Sequence, residues 1–78
     1  MQTTQQLLAA GIRYRLAIMD KSQRWLAEQV GISKYALARR MHSKTTFDVD
    51  LVDRLASALG TDFSGLIALP ADAFNKVA

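Results

Sequence analysis

Ser22-Gln23-Arg24-Trp25-Leu26-Ala27-Glu28-Gln29-Val30-Gly31-Ile32-Ser33-Lys34-Tyr35-Ala36-Leu37-Ala38-Arg39-Arg40-Met41 is the stretch whose spacing decides the fold. Two helices that meet at roughly 90–120° through a turn of three or four residues need a small residue where they approach, a glycine in the turn, and apolar residues inside the angle. Ala27, Gly31 and the set Leu26, Val30, Ile32 and Leu37 meet these needs in that order. Ser22 and Ser33 stand where each helix would begin, since a serine oxygen can accept from the unpaired N–H groups of a first turn. Gly31 follows Val30 at once, which suits a chain that turns with positive φ directly after a helix.

The flanking sequence extends the helical pattern in both directions. From Thr3 to Met19 the apolar residues Leu7, Leu8, Ile12, Leu16 and Met19 recur at steps of three and four, the spacing of one buried stripe, with Thr3 or Thr4 as cap. Lys34 to His42 reads as a third helix with Leu37 and Met41 inward, followed by the polar connection Ser43-Lys44-Thr45-Thr46. Phe47 anchors the chain and Asp48 caps a fourth helix that turns Leu51, Val52, Leu55, Ala56 and Leu59 inward and closes at Gly60. Thr61 or Asp62 opens a short fifth helix with Phe63, Leu66 and Ile67, and Pro70 bars its extension. With no alternating β-branched run, the expectation is an all-α compact bundle of five short helices. The expected organisation is a domain over residues 1–70 and a C-terminal tail over 71–78.

The charge is uneven. Residues 21–44 carry Lys21, Arg24, Lys34, Arg39, Arg40 and Lys44 against Glu28 alone, a net +5, whereas residues 1–20 net +1 and residues 45–78 net −3. The formal net charge of +3 hides this block. Clustered positive charge attracts a polyanion, although a solvated face that serves solubility has the same composition.

Composition removes several classes of function. At 78 residues the chain makes one domain with a small core and no room for an enclosed catalytic cleft. Zero cysteine excludes a disulfide framework, a thiolate zinc site and a cysteine nucleophile, and one histidine does not build a metal centre alone. No cofactor, metal or small-molecule ligand is expected, and neither is enzyme activity. No apolar run approaches the roughly 20 residues of a membrane span, and Met1-Gln2-Thr3-Thr4-Gln5-Gln6 lacks the basic start of a signal peptide. The expected location is the cytoplasm.

The central stretch resembles the lambda-repressor-like (Cro or XRE-type) helix-turn-helix domains of phage repressors and bacterial regulators. The family pattern Ser/Thr-Gln-x-x-Leu-Ala-x-x-x-Gly-Ile/Val-Ser stands here without gaps as Ser22-Gln23, Leu26-Ala27 and Gly31-Ile32-Ser33. Leu55-Ala56-Ser57-Ala58-Leu59-Gly60, followed by Phe63 and Leu66-Ile67, is similar to its fourth and fifth helices. The likeness spans about residues 5–69. It departs at Arg40-Met41-His42-Ser43, where many relatives carry a Glu and an Asn-Gly turn.

That resemblance implies a function and assigns residues to it. In this family the second helix of the motif enters the major groove of double-stranded DNA while the first crosses the phosphate backbone. The base-contacting positions would then be Ser33, Lys34, Tyr35 and Arg39, with Lys34 and Arg39 able to donate to guanine O6 or N7. The phosphate-contacting positions would be Gln23, at a helix N-terminus, with Arg24, Arg40, Ser43, Lys44 and Thr45. The function implied is a sequence-specific, Cro-like phage or prophage repressor that acts by operator occupancy. It would bind a pseudo-palindromic operator as a homodimer, since one motif reads only a few base pairs. The alternative is an antitoxin or adaptor whose main role is protein binding, with DNA autoregulation secondary.

Several residues carry two readings. Trp25 is partly buried structure or a stacking platform. His42 is a solvated or dipole-complementing residue near a helix end, or a DNA contact. Asp48, Asp50 and Asp53 are read as caps and dipole partners, because no nucleophile or metal ligand accompanies them. Phe63 is expected in the core, while Leu69 and Phe74 suit a core or a dimer surface equally.

Overall fold

The computed structural model describes residues 3–68, and they form five helices in the expected order: α1 (Thr4–Met19), α2 (Gln23–Val30), α3 (Lys34–Met41), α4 (Val49–Ala58) and α5 (Phe63–Ile67). No strand occurs among the described residues. The first helix is long, at 16 residues, and the rest are short. Expectations for residues 69–78, including Leu69, Pro70, Phe74 and the tail over 71–78, lie outside the described residues.

Every helix starts on a side-chain cap. Thr3 accepts from Gln6 N–H at 3.2 Å while the Gln6 side chain accepts from Thr3 N–H at 2.8 Å, a reciprocal capping box. Ser22 accepts from Trp25 N–H, Ser33 from Ala36 N–H, Asp48 from Leu51 N–H and Asp62 from Gly65 N–H, at 2.7–3.0 Å. Each such cap contributes about 1 kcal/mol.

The helix ends share one device. α1 to α4 each close through a residue in the left-handed region, at Asp20 (φ 55), Gly31 (φ 77), Ser43 (φ 61) and Gly60 (φ 74). In each case the next residue's N–H reaches back five positions, from Lys21 to Leu16, Ile32 to Ala27, Lys44 to Arg39 and Thr61 to Ala56, at 2.7–3.0 Å. This bond pattern satisfies carbonyls that the last turn leaves without partners. Gly31 meets the backbone requirement freely; Asp20 and Ser43 meet it at a steric cost.

The core collects the predicted inward positions. Leu8, Ile12 and Leu16 of α1, Leu26, Ala27 and Val30 of α2, Leu37 and Met41 of α3, Leu51, Val52, Leu55 and Ala56 of α4, with Phe47, Leu59 and Leu66, are all buried. Leu7 and Met19 lie half-buried at the edge of the stripe on which the spacing placed them. Phe63 corrects the sequence reading: as the first residue of α5 its side chain is 41% exposed, and Leu66 alone of that helix is buried. Leu66 and the half-buried Ile67 seat the end of α5 on the core, while Phe63, at its first residue, stands at the edge of the domain beside Val49.

One close approach was not expected. Gly11 lies mid-way along α1 where α5 crosses it, and a Cβ there would stand 2.8 Å from the Leu66 carbonyl carbon and closer still to its oxygen. Among the described residues, no helix is long and apolar enough to cross a membrane.

Candidate nucleic-acid interface

α2 and α3 are joined by the three residues Gly31-Ile32-Ser33 and pack on each other, with Leu26, Ala27, Val30 and Leu37 buried in the shared core. Burial of Leu37 and Met41 fixes how α3 is rotated about its axis, and so selects which side chains face outward. Tyr35 and Arg39 are those side chains, both exposed, with Tyr35 at 70%, and Lys34 is exposed as the first residue of the helix. Lys34 and Arg39 are five residues apart, about 7.5 Å along the helix axis. That rise equals roughly two base-pair steps of 3.4 Å.

The first turn of α3 is ordered by its own contacts. The Ser33 hydroxyl accepts from Ala36 N–H at 3.0 Å, which commits its oxygen to capping and leaves its hydrogen free to donate. The Lys34 ammonium lies 5.3 Å from the Tyr35 ring centroid, within cation–π range. Beside them, a shallow cavity of about 280 Å³ opens between the two helices, floored by Ala27 and Ile32 and edged by Arg24, Glu28, Lys34 and Tyr35.

The expected phosphate contacts divide. Arg24, Ser43 and Lys44 are exposed, while Gln23, Arg40 and Thr45 are half-buried. Gln23 is the first residue of α2, at the positive end of that helix dipole. Arg24 lies 3.5 Å from Glu28 across one turn of α2, an exposed pair worth a few tenths of a kcal/mol that a polyanion can displace. Arg40 folds back along α3, donating from Nη1 to the Ala36 carbonyl at 3.0 Å, with its Nε buried and unpartnered. Arg39 and Arg40 therefore point apart, as adjacent helical residues must.

Trp25 takes the structural reading: it is half-buried against the core, with the Lys21 ammonium 5.4 Å from its ring centroid. His42 is exposed at the C-cap of α3. Asp48 caps α4 and Asp50 lies in its first turn, as expected of dipole partners.

Two arginines outside the basic block hold this helix pair, and the sequence reading assigned them no role. Arg13 of α1 donates from Nη2 to the Met41 carbonyl at the end of α3, at 3.0 Å. Arg54 of α4 donates from Nη1 to the Val30 carbonyl at the end of α2, at 3.1 Å. Cations are favoured at helix C-termini, so each neighbour neutralises one negative helix end. Their spacing in sequence, 28 and 24 residues from their acceptors, leaves no local pattern to find. Arg13→Ala should lower stability by about 1–2 kcal/mol in urea denaturation, the worth of a part-buried charge-assisted hydrogen bond.

The connection after α3 turns on a left-handed residue that is not glycine. Ser43 adopts φ 61 there, a conformation that an Asn-Gly turn reaches at lower cost. Gln5 of α1 pins the far end of the connection, its Oε1 accepting from Phe47 N–H at 2.7 Å. Ser43→Gly is expected to raise stability by about 0.5–1 kcal/mol, read as a higher melting temperature. A fall in melting temperature would show that the left-handed geometry at Ser43 carries no strain.

Comparison with protein-family models, with curated proteins and with solved structures finds no match to this chain.

Proposed function

We propose that this protein is a sequence-specific DNA-binding regulator in which α2 and α3 act as a helix-turn-helix. The observation that carries the proposal is the exposed pair Tyr35 and Arg39, one turn apart on the face of α3 opposite the buried Leu37 and Met41, with Lys34 exposed at the start of the same helix. A helix so held presents donors at a spacing that suits neighbouring base pairs, and the exposed Arg24 and Lys44 supply flanking positive charge for phosphates. Repression by operator occupancy, in the manner of a small phage or prophage repressor, follows if the operator overlaps a promoter. The unit reads only a few base pairs, so we propose a homodimer on a pseudo-palindrome with its recognition helices about 34 Å apart.

Selection of bound sites from random double-stranded DNA tests the reading directly. A symmetric site with half-sites one helical turn apart is the expected outcome. Equal affinity for selected and random DNA would sink the proposal, and light scattering that found only a monomer on the selected site would remove the homodimer. Lys44→Ala should weaken binding to every sequence alike and lower the slope of log affinity against log salt by about one unit, measured by titration at several salt concentrations.

A further inference from the structure

A second surface is built from α1, α4, α5 and the chain before α4, with no residue from α2 or α3. Leu8, Phe47, Val49, Val52, Asp53 and Phe63 line a groove of about 240 Å³ there. Val49 is 76% exposed and Phe63 is 41% exposed, so two large apolar side chains stand at its mouth in water. The volume falls below the roughly 300–1,000 Å³ of pockets that enclose small ligands, which suits the insertion of a few side chains.

Among the described residues the groove carries one carboxylate and no cation: Asp53 lines it, is exposed and forms no ion pair. It does not belong to a cation site, since among the described residues no three metal-ligating side chains converge. A lone carboxylate beside an apolar floor defines the chemistry of an occupant.

We infer that this groove docks a basic amphipathic segment of a partner protein, one with apolar anchors a helical turn apart and Lys or Arg beside them. The anchors cover Val49 and Phe63, and a cation beside them meets Asp53. A second copy of this chain is disfavoured as the occupant, because a two-fold contact sets the same patch against itself and this groove supplies Asp53 with no cation to meet it. The inference does not depend on DNA binding. The basic block on α2 and α3 repels the same partner, so the two surfaces select ligands of opposite charge.

Display of random peptides of about eleven residues, three helical turns, on the full chain tests this. The expected winners combine aliphatic or aromatic residues three or four apart with Lys or Arg, and as synthetic peptides they shift the amide resonances of Val49 and Phe63. Val49→Ser should weaken such a peptide, and Asp53→Asn should weaken it about fivefold. Both changes are at exposed positions, and unchanged melting would show that the fold is intact. Enrichment of acidic or uncharged peptides, or shifts confined to α2 and α3, would overturn the inference. So would dissociation of a dimer by Val49→Ser, which would give the groove to a second copy. Shifts at Val49 and Phe63 on removal of residues 69–78 would overturn it equally, by giving the groove to this chain's own C-terminal residues.

Discussion

Gly11→Ala is expected to destabilise the domain by about 2–4 kcal/mol, the reverse of what helix propensity alone dictates. Alanine in mid-helix is better than glycine by about 1 kcal/mol, so an exposed site of this kind would gain stability. At Gly11 the added methyl meets the backbone carbonyl of Leu66, a group that does not rotate away as a side chain can. Either α1 bends or α5 lifts, and overpacking of this sort costs about 1–3 kcal/mol or more. Lifting α5 also draws Leu66, which is fully buried, toward water at about 2 kcal/mol. A domain of this size holds only about 5–10 kcal/mol in total, so the loss is a large share of it. Urea denaturation of the two proteins decides the matter by sign, and a more stable Gly11→Ala would show that α1 and α5 are not in close contact.

Replacing Lys34 and Arg39 together by alanine should leave stability within about 0.5 kcal/mol, since both are exposed, yet remove most of the proposed preference for one DNA sequence. Each donor set on a base edge is worth about 1–3 kcal/mol of discrimination. At a separation of about 7.5 Å along the helix the two contributions should nearly add, so the ratio of selected to random affinity falls by about thirtyfold to about twenty-thousandfold. Competition titrations with selected and scrambled duplexes measure that ratio. An unchanged ratio would move sequence reading away from α3 altogether.

The periodicity of Leu8, Ile12 and Leu16, and of Leu51, Val52, Leu55 and Ala56, made the helices legible because burial and helical spacing coincide there. The caps Ser22, Ser33 and Asp48 were legible for the same local reason: a short oxygen-bearing side chain precedes each apolar run. Helix closure was legible only where glycine marks it. Gly31 and Gly60 announce the left-handed turn, while Asp20 and Ser43 adopt the same geometry with side chains that occur anywhere on a surface. The exposure of Phe63 was not legible, because the spacing sets it on one face with Leu66 and Ile67 and only the tertiary fold leaves the first residue of α5 at the edge of the domain.

Within the candidate site, the outward pair Tyr35 and Arg39 could be read from the inward set Leu37 and Met41, since one face of a helix dictates the other, and Lys34 from its place directly after the Ser33 cap. Arg40 could not. Its guanidinium turns back to the Ala36 carbonyl, a rotamer choice that spacing does not encode. Gly11, Arg13 and Arg54 escaped because their partners are brought near only by the tertiary fold.

The bonds from Arg13 and Arg54 tie the ends of α3 and α2 to α1 and α4, outside the pair itself. A helix pair secured this way is ordered before any ligand arrives, and the conformational entropy of positioning it is spent during folding. Association then draws its heat-capacity change from dehydration of the contact alone, without the large excess that marks a segment folding as it binds.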